Sequence, residues 1–377
     1  MKILCLSRAP LDFKGGIPSY CLNLYKDSIH EVLVFSYDIE KKINKVTKRR
    51  ILNINETIYP SEFSFSTIAF SMRYFHAVIK ESFNREIIHV QHPDPFSSLA
   101  IIFLKIINPR SKILVTWHAE IYKSYKLLAP LLFVLDYILF ALTDKFIFFT
   151  PFHVTTSVLA KLSFVKRKIQ IIEFGIDYPN INLDTLEKKR SANIEYKKSI
   201  DVLSIGRLVN YKGYENSIKA IKKTDRKVRY FIIGSGPLQK KLQELIFELE
   251  LVERVFLLGN QNEEMKNKFL LNSDLFIFPS INQSEAFGIA QLEALSYGLP
   301  IINTNLNNGV NYLVPPNIAI TCENSNCEEL SKAINYVISS NKIYSEFSRK
   351  SFKHFRKFSK DKMQIKFDQL INKIKLN

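Results

Sequence analysis

Short runs of β-branched and aromatic residues alternate with segments of helical period, and the alternation occurs twice, separated by a polar break. Repeated strand–helix alternation marks βα units wound about a parallel sheet, and no other feature of the sequence restricts the fold as far. In the first half the pattern predicts strands at Lys2–Ser7, Glu31–Ser36, Ile87–Gln91, Lys112–Thr116, Lys145–Phe149 and Lys168–Glu173. Helices are predicted between them at Ile17–Ser28, Ser64–Lys80, Ser97–Ile107 and Leu127–Leu142. Residues 178–198 are polar and weakly periodic, as a linker is.

The pattern then restarts. Strands are predicted at Asp201–Gly206, Val228–Gly234, Arg254–Leu258, Asp274–Pro279 and Pro300–Asn303, with helices near Tyr214–Lys223, Pro237–Glu250, Glu263–Leu271 and Gly288–Tyr297. The end of the chain reads as helical with no further strand. The expected fold class is therefore α/β, with two doubly wound, Rossmann-like domains at 1–177 and 199–344 and terminal helices over 345–377. Ligands of such sheets bind beyond the carboxyl ends of the strands, so two facing domains would enclose a cleft.

Charge narrows the partners. The 377 residues carry 53 Lys+Arg against 36 Asp+Glu, a formal +17. The excess is uneven: residues 1–175 hold 23 basic and 14 acidic side chains, 176–344 hold 20 and 19, and 345–377 hold 10 and 3. Such a surplus fits a polyanionic partner, whether nucleic acid, an anionic membrane or phosphorylated ligands. A generally lysine-rich composition explains the total, though not the near-neutral middle. The cysteines Cys5, Cys21, Cys322 and Cys327 form no C-x-x-C pair, so neither a disulfide framework nor a zinc site is expected. The N-terminus reads as a first strand rather than a signal peptide. The apolar stretch Leu127–Phe149 is broken by Asp136, Asp144 and Lys145 before it reaches membrane-spanning length. The expectation is a cytoplasmic protein, with a peripheral position on a membrane as its possible extension.

Several motifs fall at predicted strand ends. Gly15-Gly16 follows the first strand and opens a helix, either as an ordinary βα turn or as a close backbone approach to an anion. Gly206-Arg207 follows a strand at once, and Lys212-Gly213 precedes the next helix. A guanidinium fork and a point charge at one strand end suit a diphosphate. Gly234-Ser235-Gly236-Pro237 is a tight strand-to-helix turn. Glu285 precedes a helix that contains Glu293, and the amides of Phe287, Gly288 and Ile289 between them form a helix-terminal anion site. His118 also stands at a strand's carboxyl end. His89, His92 and Glu120 complete no metal set, and no Asp-x-Asp occurs.

Taken together, these residues resemble the retaining glycosyltransferases of family 4, which have the GT-B fold. The resemblance covers essentially the whole chain. It runs from Gly15-Gly16 through Trp117-His118 and Glu173-Phe174-Gly175-Ile176-Asp177 to Gly206-Arg207, Lys212-Gly213, Gly234-Ser235-Gly236-Pro237-Leu238 and the E-x7-E element of Glu285 and Glu293. Its context looks most like bacterial enzymes that build O-antigen, capsule or other lipid-linked surface glycans. The resemblance implies transfer, with retention, of a hexosyl or N-acetylhexosaminyl group from a UDP- or GDP-sugar, without a cofactor or metal. The acceptor would be a glycan, carried on a polyprenyl diphosphate. His118, Glu285, Arg207 and Lys212 would be catalytic. Arg207 and Lys212 would hold the diphosphate, assisted by the Gly16 backbone and the amides after Glu285. Glu293 would hold the ribose, Glu285 and His118 the transferred sugar, and the base would lie near Gly259-Asn260-Gln261. Gly234, Gln261, Ala286, Phe287, Gly288 and Ile289 complete the implied donor site.

Two departures leave the donor open: Ser235 replaces a frequent Asp, and Asn305–Val314 lacks the usual glycine-rich turn. The family also implies that the C-terminal helix returns to the N-terminal domain, which would gather the positive charge on an acceptor half resting on an anionic inner membrane. Lys41–Arg50 and Leu127–Phe149 are the candidate contacts. Rival readings are a noncatalytic nucleotide-sugar-binding or scaffold protein of the same fold, and a nucleic-acid-binding protein, for which no recognition motif is present. No nucleic-acid partner is therefore expected.

Overall fold

Runs such as Lys-Ile-Leu-Val-Thr-Trp at 112–117 bury nearly every side chain, as strands covered on both faces must. The computed structural model describes residues 1–376 except 14, 41, 66–67, 120–127, 191–193, 283–284 and 286. These residues form two units, Met1–Gly175 with Lys360–Asn377, and Ile176–Ser359.

Strands of the first unit are β1 (Lys2–Leu6), β2 (Glu31–Asp38), β3 (Thr47–Ile51), β4 (Ile54–Pro60), β5 (Phe63–Phe65), β6 (Ile68–Phe70), β7 (Ile87–His92), β8 (Lys112–Trp117), β9 (Lys145–Phe148) and β10 (Ile169–Ile171). Eight of them make one sheet in the order β10-β9-β8-β7-β1-β2-β4-β3. Every pairing is parallel except β3 with β4. The order reverses direction between β1 and β7, which makes that crevice the unit's switch point.

The second unit contains β11 (Ile200–Ile205), β12 (Val228–Ile233), β13 (Val255–Leu257), β14 (Leu275–Phe278), β15 (Ile301–Thr304) and β16 (Ile320–Cys322). They form an all-parallel sheet, β13-β12-β11-β14-β15-β16. Its switch point lies between β11 and β14. The unit's core gathers Val202, Tyr230, Ile232 and Ile277 from the strands with Ile218, Leu242 and Ile334 from the covering helices.

The structure differs from the sequence expectations in several places. Residues 64–80 do not form one helix. The chain first makes the β5–β6 hairpin, and the helix begins at Met72, where Ser71 Oγ accepts the Tyr74 amide. Strands β3, β4 and β16 went unforeseen. Residues 178–198 are not a bare linker but include the helix Leu183–Arg190. Its Arg190 is buried and donates to the carbonyls of Leu270, Leu271, Ser273 and Tyr297. The tail also divides: the helix Asn341–Phe355 belongs to the second unit, and Lys360–Leu376 to the first. The helix expected at Leu127–Leu142 spans Ala129–Leu142, residue 127 lying outside the described set.

Candidate active site

Three neighbouring strands of the second unit end in glycine at one level. Gly206 closes β11, Gly234 closes β12 and Gly259 follows β13, with φ of 156°, 140° and 66°. The Gly206 amide donates to Ile233 at 2.9 Å, and the Gly234 amide to Gly259 at 2.8 Å. A Cβ at Gly234 would stand 2.0 Å from the Gly206 carbonyl oxygen, so the turn after β12 closes only without a side chain. The result is a bare backbone floor beside the switch point.

Lys212 reaches over that floor. A Cβ on Gly206 would lie 3.2 Å from its Nζ. The ammonium is 5.0 Å from the Phe278 ring centroid and 5.8 Å from that of Tyr211. Its Nζ stands 2.5 Å from Glu285 Oε2, and both side chains are 12% exposed. That contact is a charge pair rather than an aligned hydrogen bond, so Oε2 has no aligned donor among the described residues. Burial, with the Glu285 carboxylate second, raises the pKa of Tyr211 beside them. The Glu285 backbone is held by Asn308, whose Nδ2 donates to its carbonyl at 2.7 Å. Arg207 leaves the same strand end with its side chain exposed.

The following helix runs Ile289–Ser296, with Gly288 as N-cap at φ 79°, so it starts one residue later than expected. A Cβ at Gly288 would meet the Phe278 ring at 3.0 Å. Phe287 is buried; Ala286 lies outside the described residues. Glu293 projects from this helix to Lys266 Nζ at 2.6 Å, and Lys266 also pairs with Glu263 at 2.9 Å. Burial works against the Lys266 ammonium, but Glu293 and Glu263 outweigh it and raise its pKa. Gln261 folds back, its Nε2 donating to the Leu258 carbonyl at 2.6 Å.

In the first unit, Gly16 opens the helix Gly16–Tyr25 and is exposed, and a Cβ there would meet nothing within 4 Å. Tyr20, about one turn further, packs edge-on to the His118 ring at 5.3 Å, and Phe149 does so at 5.0 Å. His118 Nε2 lies 2.9 Å from Gln91 Oε1, an acceptor, so Nε2 carries the proton and Nδ1 is left as an acceptor. Gln91 Nε2 in turn faces His89 Nε2 at 3.2 Å, and His89 Nδ1 meets the Tyr25 hydroxyl. Burial first, then His89, His92, His153 and Arg8, pushes the His118 pKa well down, which keeps the ring neutral.

Sequence reasoning missed Gln91, Lys266 and Arg190. A glutamine in the otherwise buried strand end Ile-Ile-His-Val-Gln-His was a usable signal; Lys266 in Glu-Glu-Met-Lys-Asn-Lys looks like any surface lysine. An arrangement of this kind, a glycine floor under a lysine paired with one carboxylate, can hold a diphosphate with a hydroxyl-bearing group beside it.

Comparison with known proteins bears on these residues. Residues 186–354 match the family described as glycosyl transferases group 1. The D-rhamnosyltransferase WbpZ of Pseudomonas aeruginosa is 29% identical over 255 residues, 67% of this chain and 64% of that protein. The match thus spans less than two thirds of that relative. The O-antigen chain mannosyltransferase C of Escherichia coli is 24% identical over 368 residues, 93% of this chain and 92% of that one. Among solved structures, Anabaena HepE in complex with UDP superposes with a TM-score of 0.77 at 18% identity, over 99% of this chain and 100% of the other. That likeness shows the fold, GT-B.

Proposed function

We propose, from the premise that this chain has the GT-B fold and carries a group 1 glycosyl transferase domain over residues 186–354, that it is a glycosyltransferase of bacterial cell-surface polysaccharide synthesis. The observation that carries the reading is the Lys212–Glu285 pair over the glycine floor at the β11/β14 switch point. The donor is a nucleoside diphosphate sugar, a class supported by the UDP held in HepE. The acceptor is a glycan, a class that the name of the O-antigen chain mannosyltransferase supports, and in this proposal it is lipid-linked. We propose that the reaction takes place on the cytoplasmic side.

In this reading Lys212 and Arg207 receive the diphosphate, and the ribose hydroxyls donate to Glu293. Glu285 accepts hydroxyl protons of the transferred sugar, and the first unit offers an acceptor lone pair on His118 Nδ1. The bond from the anomeric carbon to the diphosphate oxygen breaks, and the acceptor oxygen bonds that carbon on the same face, so configuration is retained. The acceptor's proton passes to the departing diphosphate oxygen. Two cations offset the leaving group's growing charge, which makes transfer metal-independent.

A thermal-shift screen against UDP- and GDP-sugars, repeated with Arg207→Ala/Lys212→Ala, tests the assignment. Wild-type stabilisation by one nucleotide sugar, lost in the double variant, is expected; unaltered stabilisation or turnover in the variant refutes the site.

A further inference from the structure

The parallel strands β1, β7 and β8 of the first unit begin at one pole, at Lys2, Ile87 and Lys112. There the loops before β7 and β8 meet the end of the last helix around a cavity of about 320 Å³. Ile87 and Ile374 line it as an apolar floor, 0% and 2% exposed, and Phe83 stands at the rim, 60% exposed. The cavity is built wholly from the first unit. It lies at the opposite end of β8 from His118, roughly 20 Å away at the ordinary rise of a strand.

The charges around it do not cancel. Arg110 and Lys112 flank Ser111 at the entry to β8, and Lys375 comes from the last helix. None of these three cations pairs with a carboxylate or donates a side-chain hydrogen bond among the described residues. Other cations nearby do: Arg85 holds Glu31 at 2.9 Å and also Glu81, and Lys366 holds Glu173. The one carboxylate in the described lining, Glu86, accepts the Lys2 amide at 2.7 Å.

Ser111 supplies an independent sign. Its backbone is fixed, the carbonyl accepting Lys105 Nζ at 2.6 Å and the amide donating to the Asn108 carbonyl at 3.2 Å. The residue is 8% exposed, yet its buried Oγ has no hydrogen-bond partner among the described residues. A buried hydroxyl left over in a cavity wall, between two unpaired cations, calls for an acceptor that carries negative charge.

We propose that this cavity binds a small phosphomonoester. A guanidinium fork, two ammonium groups and a hydroxyl donor match tetrahedral oxygens bearing a charge of about −1.5 to −2. The organic part of the ligand lies over Ile87, Ile374 and Phe83. The volume is at the small end of ligand pockets and suits one ring with its phosphate. Because the wall joins the β8 entry to the last helix, the ligand ties that helix to the sheet and stabilises the first unit by mass action. The inference goes beyond glycosyl transfer, and its test needs neither donor nor acceptor.

The experiment is hydrogen–deuterium exchange of the full chain with phenyl phosphate, at ionic strength matched by potassium chloride. Protection of 108–112 and of the end of the last helix is expected. Calorimetry on Arg207→Ala/Lys212→Ala, which lacks the cations proposed for the diphosphate, should show the same binding. Inorganic phosphate should bind more weakly, and the monoanion dimethyl phosphate at least about tenfold more weakly. Ser111→Ala should lower affinity about tenfold, the worth of a hydrogen bond to a charged group. Without phosphate its melting temperature should hold or rise, since an unpartnered buried hydroxyl is removed. Lys375→Ala should weaken binding and abolish protection of the last helix, whereas Lys240→Ala on the second unit should change neither. Absence of protection, equal protection by potassium chloride alone, or unchanged affinity in Ser111→Ala and Lys375→Ala would each overturn the proposal. So would binding that disappears in Arg207→Ala/Lys212→Ala.

Discussion

Lys212 and Glu285 close a 2.5 Å ion pair at the end of β11, joining the residue proposed for the diphosphate to the residue proposed for the sugar. Each neutralises the other. Under the proposed function an arriving diphosphate would compete with Glu285 for one ammonium, and the freed carboxylate would turn to the sugar's hydroxyls. Loading and orientation would then be one exchange of partners.

Glu285→Gln should therefore separate binding from turnover. We expect kcat to fall roughly 100-fold or more, on the scale of losing one preorganised charge contact. Affinity for the bare nucleoside diphosphate, measured by calorimetry, should hold or tighten, because Lys212 loses its competitor. Weakened diphosphate binding would contradict the exchange.

Lys212→Ala should lower nucleoside diphosphate affinity about 10- to 100-fold, the worth of a charge-assisted hydrogen bond. Lys266→Met should raise KM for the donor more than it lowers kcat, since Lys266 holds Glu293, the residue proposed for the ribose, at 2.6 Å. Equal losses in both parameters would place Lys266 in the chemistry.

Chelation should leave transfer rates unchanged. Initial rates after exhaustive treatment with EDTA, with and without added magnesium or manganese, check this. A rate that collapses and returns with a divalent ion would show that Arg207 and Lys212 do not suffice.

Protonation should undermine the first unit from the acid side. Burial drives the His89 pKa down to about 3 and that of His118 well below its usual value. Below about pH 6.5 the unfolded chain takes up protons that the folded one refuses. Stability is therefore present above that pH and is lost as pH falls, by up to about 1.4 kcal/mol per unit for each ring. Melting curves from pH 7.5 to 5 should slope less steeply for His118→Gln than for wild type.

Arg190→Ala should cost the second unit about 3 kcal/mol by stranding buried carbonyls, a fall of roughly 6 °C or more in its melting temperature. A shift within error would mean the helix Leu183–Arg190 is a spacer after all.

What the sequence revealed follows from the range of the forces involved. Buried parallel strands such as Val228–Ile233 announce themselves as continuous apolar runs, and glycines at strand ends mark where those runs must turn. Strand β3, Thr-Lys-Arg-Arg-Ile, has no such signature, because it sits on the sheet edge and is paired by a chain reversal. Arg190 looked like linker charge because its acceptors lie some eighty or more residues away. The neutral state of His118 was likewise invisible, since Gln91 and the surrounding rings reach it only through sheet pairing.

The first unit is built from both ends of the chain. Its last helix sets Met363, Phe367, Leu370, Ile371 and Ile374 inward, and Phe367 stacks on His89 at 5.7 Å beside Tyr25. On the ribosome, the order of emergence and the order of completion are then reversed. Residues 176–359 have everything they need while the earlier-made 1–175 still lack their closing helix, and the seat for Phe367 stays open until residues 360–376 have emerged. A ribosome stalled just after Ser359 would hold a finished second unit and an unfinished first one, whose open seat is a ready target for chaperones.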